Sequence, residues 1–318
     1  MELFPDGAFV RLRSRGRDGM YLHADEDGVG VSLSRERASL HVAWQVHRIV
    51  RGGVPFALLH GAAYGRYLSA TLHPAPDGHA GRRVVQGTYD DQEQNTTVWF
   101  AVRISTRDAE VALQNHSRNG HGFLRANGKH CRWRNGVSID DHLNRTTMKH
   151  WIVETIPLRT SAPLVPLATV DPVQPGGGRF IGLFPRRSRS EPEPDQKWAI
   201  RFVVADADGN VNEQDWGTFQ FHGRSVFSLW NEAAHYSGSL YFFDKITVCA
   251  RAGRYGRLTP LFTDLPRGQE NMDIVALPAG SAGENIAVFP LLCAVHLLSA
   301  AILMKTEAAL QYPEVDAP

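Results

Sequence analysis

The stretch "GRYLSA", Gly65 to Ala70, occurs in near copy twice more: "GMYLHA" at Gly19 to Ala24 and "GFLRA" at Gly122 to Ala126. Each copy places an aromatic residue and a leucine after glycine (Tyr21-Leu22, Tyr67-Leu68, Phe123-Leu124) and an alanine two positions past the leucine (Ala24, Ala70, Ala126). Alternating apolar runs precede the copies: "AFVRLRS" from Ala8, "FALLHG" from Phe56 and "VALQNHS" from Val111. A tryptophan in a strand-like setting follows each: "WQVHRI" at Trp44, "WFAVRI" at Trp99 and "WIVETI" at Trp151. The period is roughly 50 residues, which marks a repeat architecture. Its alternation of apolar and polar residues specifies strands rather than helices. One such unit cannot bury its own apolar face. Three can, by closing into a barrel that leaves no open sheet edge. Residues 1–156 are therefore expected to form a β-trefoil.

Between residues 157 and 197 the texture changes. "PLRTSAPLVPLATVDPVQPGGG" and "PRRSRSEPEP" are rich in Pro, Gly, Ser and charge, with no sustained period, and read as a linker. Arg186, Arg187 and Arg189 interleave there with Ser188 and Ser190, in the pattern of a site for a basic-directed kinase or of a solvated linker. Beyond Lys197, "AIRFVVADADGN" and "WGTFQFHG" alternate as two strands joined by a turn. Val226, Leu229, Trp230 and Ala233 then fall at helical spacing behind Ser225 as N-cap. "ITVCARAG", "RLTPLFTDL" and "MDIVALP" supply three more strands. The order β-β-α-β-β-β over 198–279 is that of a ubiquitin-like β-grasp. The fold class expected for the whole is mainly β, a trefoil followed by a small α+β domain. The chain runs on past Pro278 without a free Gly-Gly end, so conjugation as a modifier is excluded.

The region 280–318 contains "IAVFPLLCAVHLLSAAILM" at 286–304, without Asp, Glu, Lys or Arg. Its length approaches that of a bilayer core. Three readings stay open for it: a tail anchor leaving both domains in the cytosol, a helix packed on the fold, or an aberrant chain end. The N-terminus has neither a basic nor an apolar leader region, and the three cysteines (Cys131, Cys249, Cys293) lack metal-ligand spacing, so a cytoplasmic location is expected. The Asn-x-Ser/Thr matches at Asn95, Asn115 and Asn144 then carry no glycan.

A formal net charge of +1 argues against a dedicated nucleic-acid binder. No nucleophile elbow, His-Glu-x-x-His or phosphate loop occurs, and no catalytic, cofactor-binding or metal-binding residues are expected. "DADGNVNEQDWG" from Asp206 begins like a calcium loop, but its sixth place is Val211 and its twelfth Gly217, so it reads as a hairpin turn. His116, His121, His130, His142 and His150 crowd the third repeat near Cys131, at irregular spacing among turn residues, and read as surface groups rather than zinc ligands. Arg251, Arg254, Tyr255 and Arg257 surround a glycine-bracketed turn, which reads either as a hairpin whose solvent face is basic or as a partner site, since Arg and Tyr are favoured at binding hot spots.

The repeated Gly-x-Tyr-Leu-x-Ala phrases with their tryptophans resemble fascin-like, actin-cross-linking trefoils. With "DWGTFQFHGRSV" and "VCARAGRYGRLTPL" added, residues 1–279 resemble a plant family that joins such a trefoil to a ubiquitin-like C-terminal domain. The resemblance implies a non-enzymatic binding or scaffold protein with protein partners, actin among them, and supplies no catalytic residues. The alternative is a carbohydrate-binding trefoil, although the three repeat tryptophans lack the Gln-x-Trp phrase of such lectins and stand in "VAWQV", "TVWFA" and "KHWIV".

Overall fold

The computed structural model describes residues 1–159, 197–278 and 312–313, apart from 80, 106–107, 118–119, 129–132, 134, 141–145, 207, 237–245 and 269–270. The linker serines and arginines and the apolar stretch 286–304 lie outside the described residues.

Each repeat contributes four strands. The first holds β1 (Phe9–Ser14), β2 (Tyr21–Ala24), β3 (Val31–Ser34) and β4 (Trp44–Arg51). The second holds β5 (Val54–Gly61), β6 (Tyr67–Pro74), β7 (Arg82–Gly87) and β8 (Trp99–Arg103). The third holds β9 (Glu110–Ser117), β10 (Gly120–Ala126), β11 (Val137–Asp140) and β12 (Trp151–Ile156). The outer strands of the repeats pair in a ring, β1 with β4, β4 with β5, β5 with β8, β8 with β9, β9 with β12, and β12 back to β1. Closure is antiparallel, from Phe9 opposite Ile156 to Ser14 opposite Trp151. The hairpins β2–β3, β6–β7 and β10–β11 cap the barrel and are bridged to one another by Gly30–Val85, Ser32–Gly136 and the β7–β11 pairing.

The recurring phrase has a definite job. Leu22, Leu68 and Leu124 are fully buried, as are Trp44, Trp99 and Trp151. In every repeat the indole N–H donates to the leucine carbonyl: Trp44 to Leu22 at 3.1 Å, Trp99 to Leu68 at 2.9 Å, Trp151 to Leu124 at 3.0 Å. The bond fastens a barrel strand to its cap hairpin and satisfies the polar end of a buried indole, which would otherwise be costly.

The second domain comprises β14 (Lys197–Val204), β15 (Gly217–His222), helix α1 (Val226–Tyr236), β16 (Ile246–Arg251), β17 (Leu258–Pro260) and β18 (Met272–Pro278); two-residue β13 (Leu158–Arg159) precedes it and β19 (Tyr312–Pro313) follows it. Its sheet order is β15-β14-β18-β16-β17, with β14 and β18 parallel. Helix α1 is capped by Ser225, whose hydroxyl accepts the Ser228 amide, and it buries Val226, Leu229, Trp230 and Ala233. These pack with Trp198, Ile200, Phe202, Phe219 and Phe221 of the sheet. The stretch from Asp206 is a turn: the Asp206 carboxylate accepts the amides of Asp208 and Asn210. β17 is three residues long, shorter than "RLTPLFTDL" suggests; beyond it the Leu261 amide still donates to the Val248 carbonyl at 3.0 Å, and Leu261 and Phe262 enter the core.

The two domains share that core. Phe9, Ala43, Ala62 and Ile156 of the trefoil belong to the same apolar cluster as the helix and sheet residues. Two glycines permit the close approach. Gly65 has φ +69°, and a Cβ there would lie 2.9 Å from the Thr259 side chain; Gly253 has φ +92°, and a Cβ there would meet the Tyr89 backbone at 2.6 Å.

Among the described residues no helix is long and apolar enough to cross a membrane. β19 pairs with β13, Leu158 opposite Pro313 and Arg159 opposite Tyr312, which returns the chain to the trefoil after 286–304.

Two outcomes follow from this packing. Replacing any one of Trp44, Trp99 or Trp151 by Phe orphans a buried carbonyl and leaves a void. Each change should cost about 2–3 kcal/mol in urea unfolding, with similar values in the three repeats. Gly253→Ala should cost about 3 kcal/mol or more, since strain at positive φ adds to the clash with Tyr89. Gly7→Ala is the control. Its φ of +75° is comparable but nothing lies within 4 Å of the added Cβ, so it should cost only about 1 kcal/mol.

Candidate functional site

The four residues of the basic loop do gather on one turn, and that turn lies against the trefoil of the same chain. The Tyr89 amide donates to the Ala252 carbonyl and the Tyr255 amide to the Tyr89 carbonyl, both at 2.9 Å. The Arg254 amide donates to Asp90 at 3.1 Å, and the Arg257 amide to the Tyr67 hydroxyl at 2.9 Å. The Arg257 guanidinium grips Asp6 through both carboxylate oxygens at 2.9 Å. Burial pushes the Asp6 carboxyl upward, but the bonds from Arg257 and the Arg48 amide outweigh it and hold it below the usual carboxylate range. Arg251 is folded back on its own loop, bonding the carbonyls of Gly253 and Arg254 and pairing with Glu213 at 3.3 Å. Exposed on this turn are Arg254 and Tyr255, the latter 40% accessible with its ring against Tyr89.

Beneath the turn is a polar cluster that sequence reading passes over. His47 Nδ1 lies 3.0 Å from the Tyr67 hydroxyl, and His60 Nδ1 lies 3.2 Å from Thr259 Oγ1 across the seam. Tyr67 packs against both imidazoles and against Tyr89. Burial, reinforced by Arg257, lowers the His47 imidazole to about 4; burial with His47 and Arg257 lowers that of His60 as well. Burial raises the Tyr67 phenol. Both histidines are thus neutral members of the interface.

Beside the turn opens a cleft of about 110 Å³ lined from both domains. The trefoil supplies Tyr64, Arg66, Thr88 and Asp90; the ubiquitin-like domain supplies Arg251, Asn271 and Asp273. Register explains the sheet side. Asp273 of β18 stands opposite Arg201 of β14 and Arg251 of β16, which makes a cross-strand row of alternating charge. Arg201 pairs with Asp273 at 3.2 Å, and the Trp216 ring lies 4.7 Å from the Arg201 guanidinium and 5.8 Å from that of Arg251. Burial raises the Asp273 carboxyl, Arg201 and Arg251 oppose the rise, and Asp90 and Glu213 add to it. On the trefoil side the Arg66 guanidinium donates to the Asn271 carbonyl at 3.4 Å. Two carboxylates and two guanidiniums held at a domain boundary suit recognition of a charged or strongly polar group.

Of the histidines in the third repeat, His150 is paired with Glu110 at 2.8 Å. The side chains of His116 and His121, together with His130, Cys131 and His142, lie outside the described residues. Among the described residues no group of three or more His, Cys, Asp and Glu is placed to hold a metal ion.

Solved structures of similar architecture cover about half of the chain. A Caenorhabditis elegans protein of unknown function has 14% identity and a TM-score of 0.39, covering 48% of this chain and 97% of its own. A designed threefold-symmetric protein, ThreeFoil, has 16% identity and a TM-score of 0.36, covering 46% and 96%. The Macrolepiota procera ricin B-like lectin, solved with lactose, has 15% identity and a TM-score of 0.36, covering 47% and 96%. Likenesses this distant carry no inference about a ligand. A search of curated protein sequences finds no match. The family models are specific: the β-trefoil domain of unknown function DUF569 matches residues 1–154, and the DUF569-associated ubiquitin-like domain matches residues 196–277. The chain therefore belongs to the family in which a DUF569 trefoil is followed by its associated ubiquitin-like domain.

Proposed function

We propose that this chain is a non-enzymatic binding or scaffold protein in which trefoil and ubiquitin-like domain act as one body, with a composite recognition site at their seam. The observation that carries this reading is the cleft, to which each domain contributes one carboxylate and one guanidinium: Asp90 with Arg66, and Asp273 with Arg251. The exposed Arg254 and Tyr255 on its rim extend the surface offered to a partner. A rigid, preorganised site of this kind loses little entropy on binding.

The specific form of the proposal is contact with filamentous actin in the cytoplasm, supported by the repeat phrases shared with fascin-like trefoils. One trefoil supplies one contact, so filaments would be decorated rather than bundled unless the chain self-associates. The carbohydrate alternative draws no support from the repeat tryptophans, because all three indoles are inside the barrel with their N–H groups bonded.

Co-sedimentation of the full chain with filamentous actin tests the specific form. Binding should appear in the high-speed pellet at micromolar concentration, without filaments moving to the low-speed pellet, and it should weaken at least fivefold in an Asp90→Asn/Arg254→Ala variant. Absence from the pellet retires actin as the partner. Retention of the chain on a glycan array would then turn the reading to carbohydrate.

A further inference from the structure

In the polar cluster beneath the β16–β17 turn, the contact between His47 and Tyr67 is one that a neutral imidazole satisfies and a protonated one does not. The Tyr67 hydroxyl already accepts the Arg257 amide at 2.9 Å. Its remaining contact is His47 Nδ1 at 3.0 Å, and its own proton is used only if that nitrogen accepts. A protonated His47 would present an N–H there instead, leaving the phenol proton unpaired inside the seam. His60 is fully buried; Nδ1 faces Thr259, and among the described residues Nε2 has no hydrogen-bond partner to take a second proton's charge. The charged groups facing this pair come from two other elements. Arg257 reaches in from the turn and Asp6 from the segment before β1, while Tyr67 of β6, Tyr89 after β7 and Thr259 of β17 complete the surround. Arg257 and Asp6 already occupy each other. An imidazolium at position 47 would repel the guanidinium and compete with it for the Asp6 carboxylate.

We infer that the seam is an acid-released latch, in which protonation of His47 and His60 frees the turn 252–257 from the trefoil and opens the cleft while the shared apolar core holds the two domains together. The contacts through which the core crosses the seam on the trefoil side, Phe9, Ala43, Ala62 and Ile156, are apolar and do not themselves titrate. Release would uncover Tyr67, Tyr89 and the inner face of Arg257. Its effect on a ligand rests on the composite-site reading above; the release itself does not.

The sign follows from linkage. His47 is lowered to about 4 in the closed seam, against about 6.5 once exposed to water. The open form therefore binds more protons between those values, so the latch is at full strength above about pH 6.5 and weakens as pH falls toward 4. His47 alone should raise the opening equilibrium about 50-fold between pH 7 and pH 4.5, and His60 adds to this.

Hydrogen exchange on the full-length protein, corrected for intrinsic rates, is the test. Peptides containing the amides of Tyr89, Arg254, Tyr255 and Arg257 should lose at least tenfold protection between pH 7 and pH 4.5, while β1, β12, β14 and β18 keep theirs. A His47→Gln/His60→Gln variant, whose amides accept the same bonds without titrating, should show a flat profile. Three results overturn the inference: unchanged turn protection down to pH 4.5, loss in step with the barrel strands, or the same loss in the double variant. Should that variant fail to fold, the wild-type comparison of turn with barrel still decides.

Discussion

The structure depends on one interaction made three times, a buried indole N–H donated to the carbonyl of the leucine that closes each Tyr/Phe-Leu step. An indole is large enough to fill the barrel centre, yet its nitrogen must find an acceptor once water is excluded. Supplying that acceptor from the cap hairpin couples the two layers of each repeat. Barrel closure and cap packing therefore stand or fall together, and the outer surface of the trefoil becomes a rigid platform. The second domain uses that platform. It does not swing on a tether; Phe9 and Ile156, the first and last paired residues of the closing strands, enter its core.

Symmetry inside the barrel permits divergence outside it. Gly19 and Gly65 occupy the same place in their repeats with nearly the same backbone, φ +64° and +69°. Beside Gly19 there is open space, whereas Gly65 is pressed against Thr259. The next residues show the same specialisation. Arg66 reaches Asn271, and Tyr67 keeps its ring in the trefoil while its hydroxyl serves Arg257 and His47. The third repeat has Phe123 at that position, with no hydroxyl to offer. One phrase thus serves two ends: its leucine and alanine build the barrel in all three copies, and its glycine, arginine and tyrosine build the interface in one.

This division explains what could be read in advance. Barrel, cap and β-grasp follow from periodicity, because each rests on neighbours a few residues away or on a repeat visible by self-comparison. Ser225 and the helical spacing of Val226, Leu229, Trp230 and Ala233 are local signals of the same kind. The basic loop is also visible, as a cluster of charge on a tight turn. What it touches is not. Asp6 lies 251 residues before Arg257, and Asp90 lies 164 before Arg254. No local pattern joins them. His47 and His60 sit in strands where alternation admits either a solvent-facing or a covered position, and only docking of the second domain decides between them. The cleft is illegible for the same reason, since its charges become neighbours through cross-strand register and domain contact together.

The same geometry narrows where this ubiquitin-like domain can meet anything else. One face of its sheet is filled by helix α1. On the other, Val203, Cys249, Val275 and Leu277 are covered by the β14–β15 loop through Val211 and Trp216, with Leu258 beside them. The β17 edge is placed against the trefoil at Thr259. A β-grasp isolated from this chain would lose the trefoil part of its apolar core, Phe9, Ala43, Ala62 and Ile156. Recognition by the free domain would therefore differ in kind from recognition by the intact chain. What the intact chain offers at this boundary is the charged seam itself, whose shape both domains set and neither could form alone.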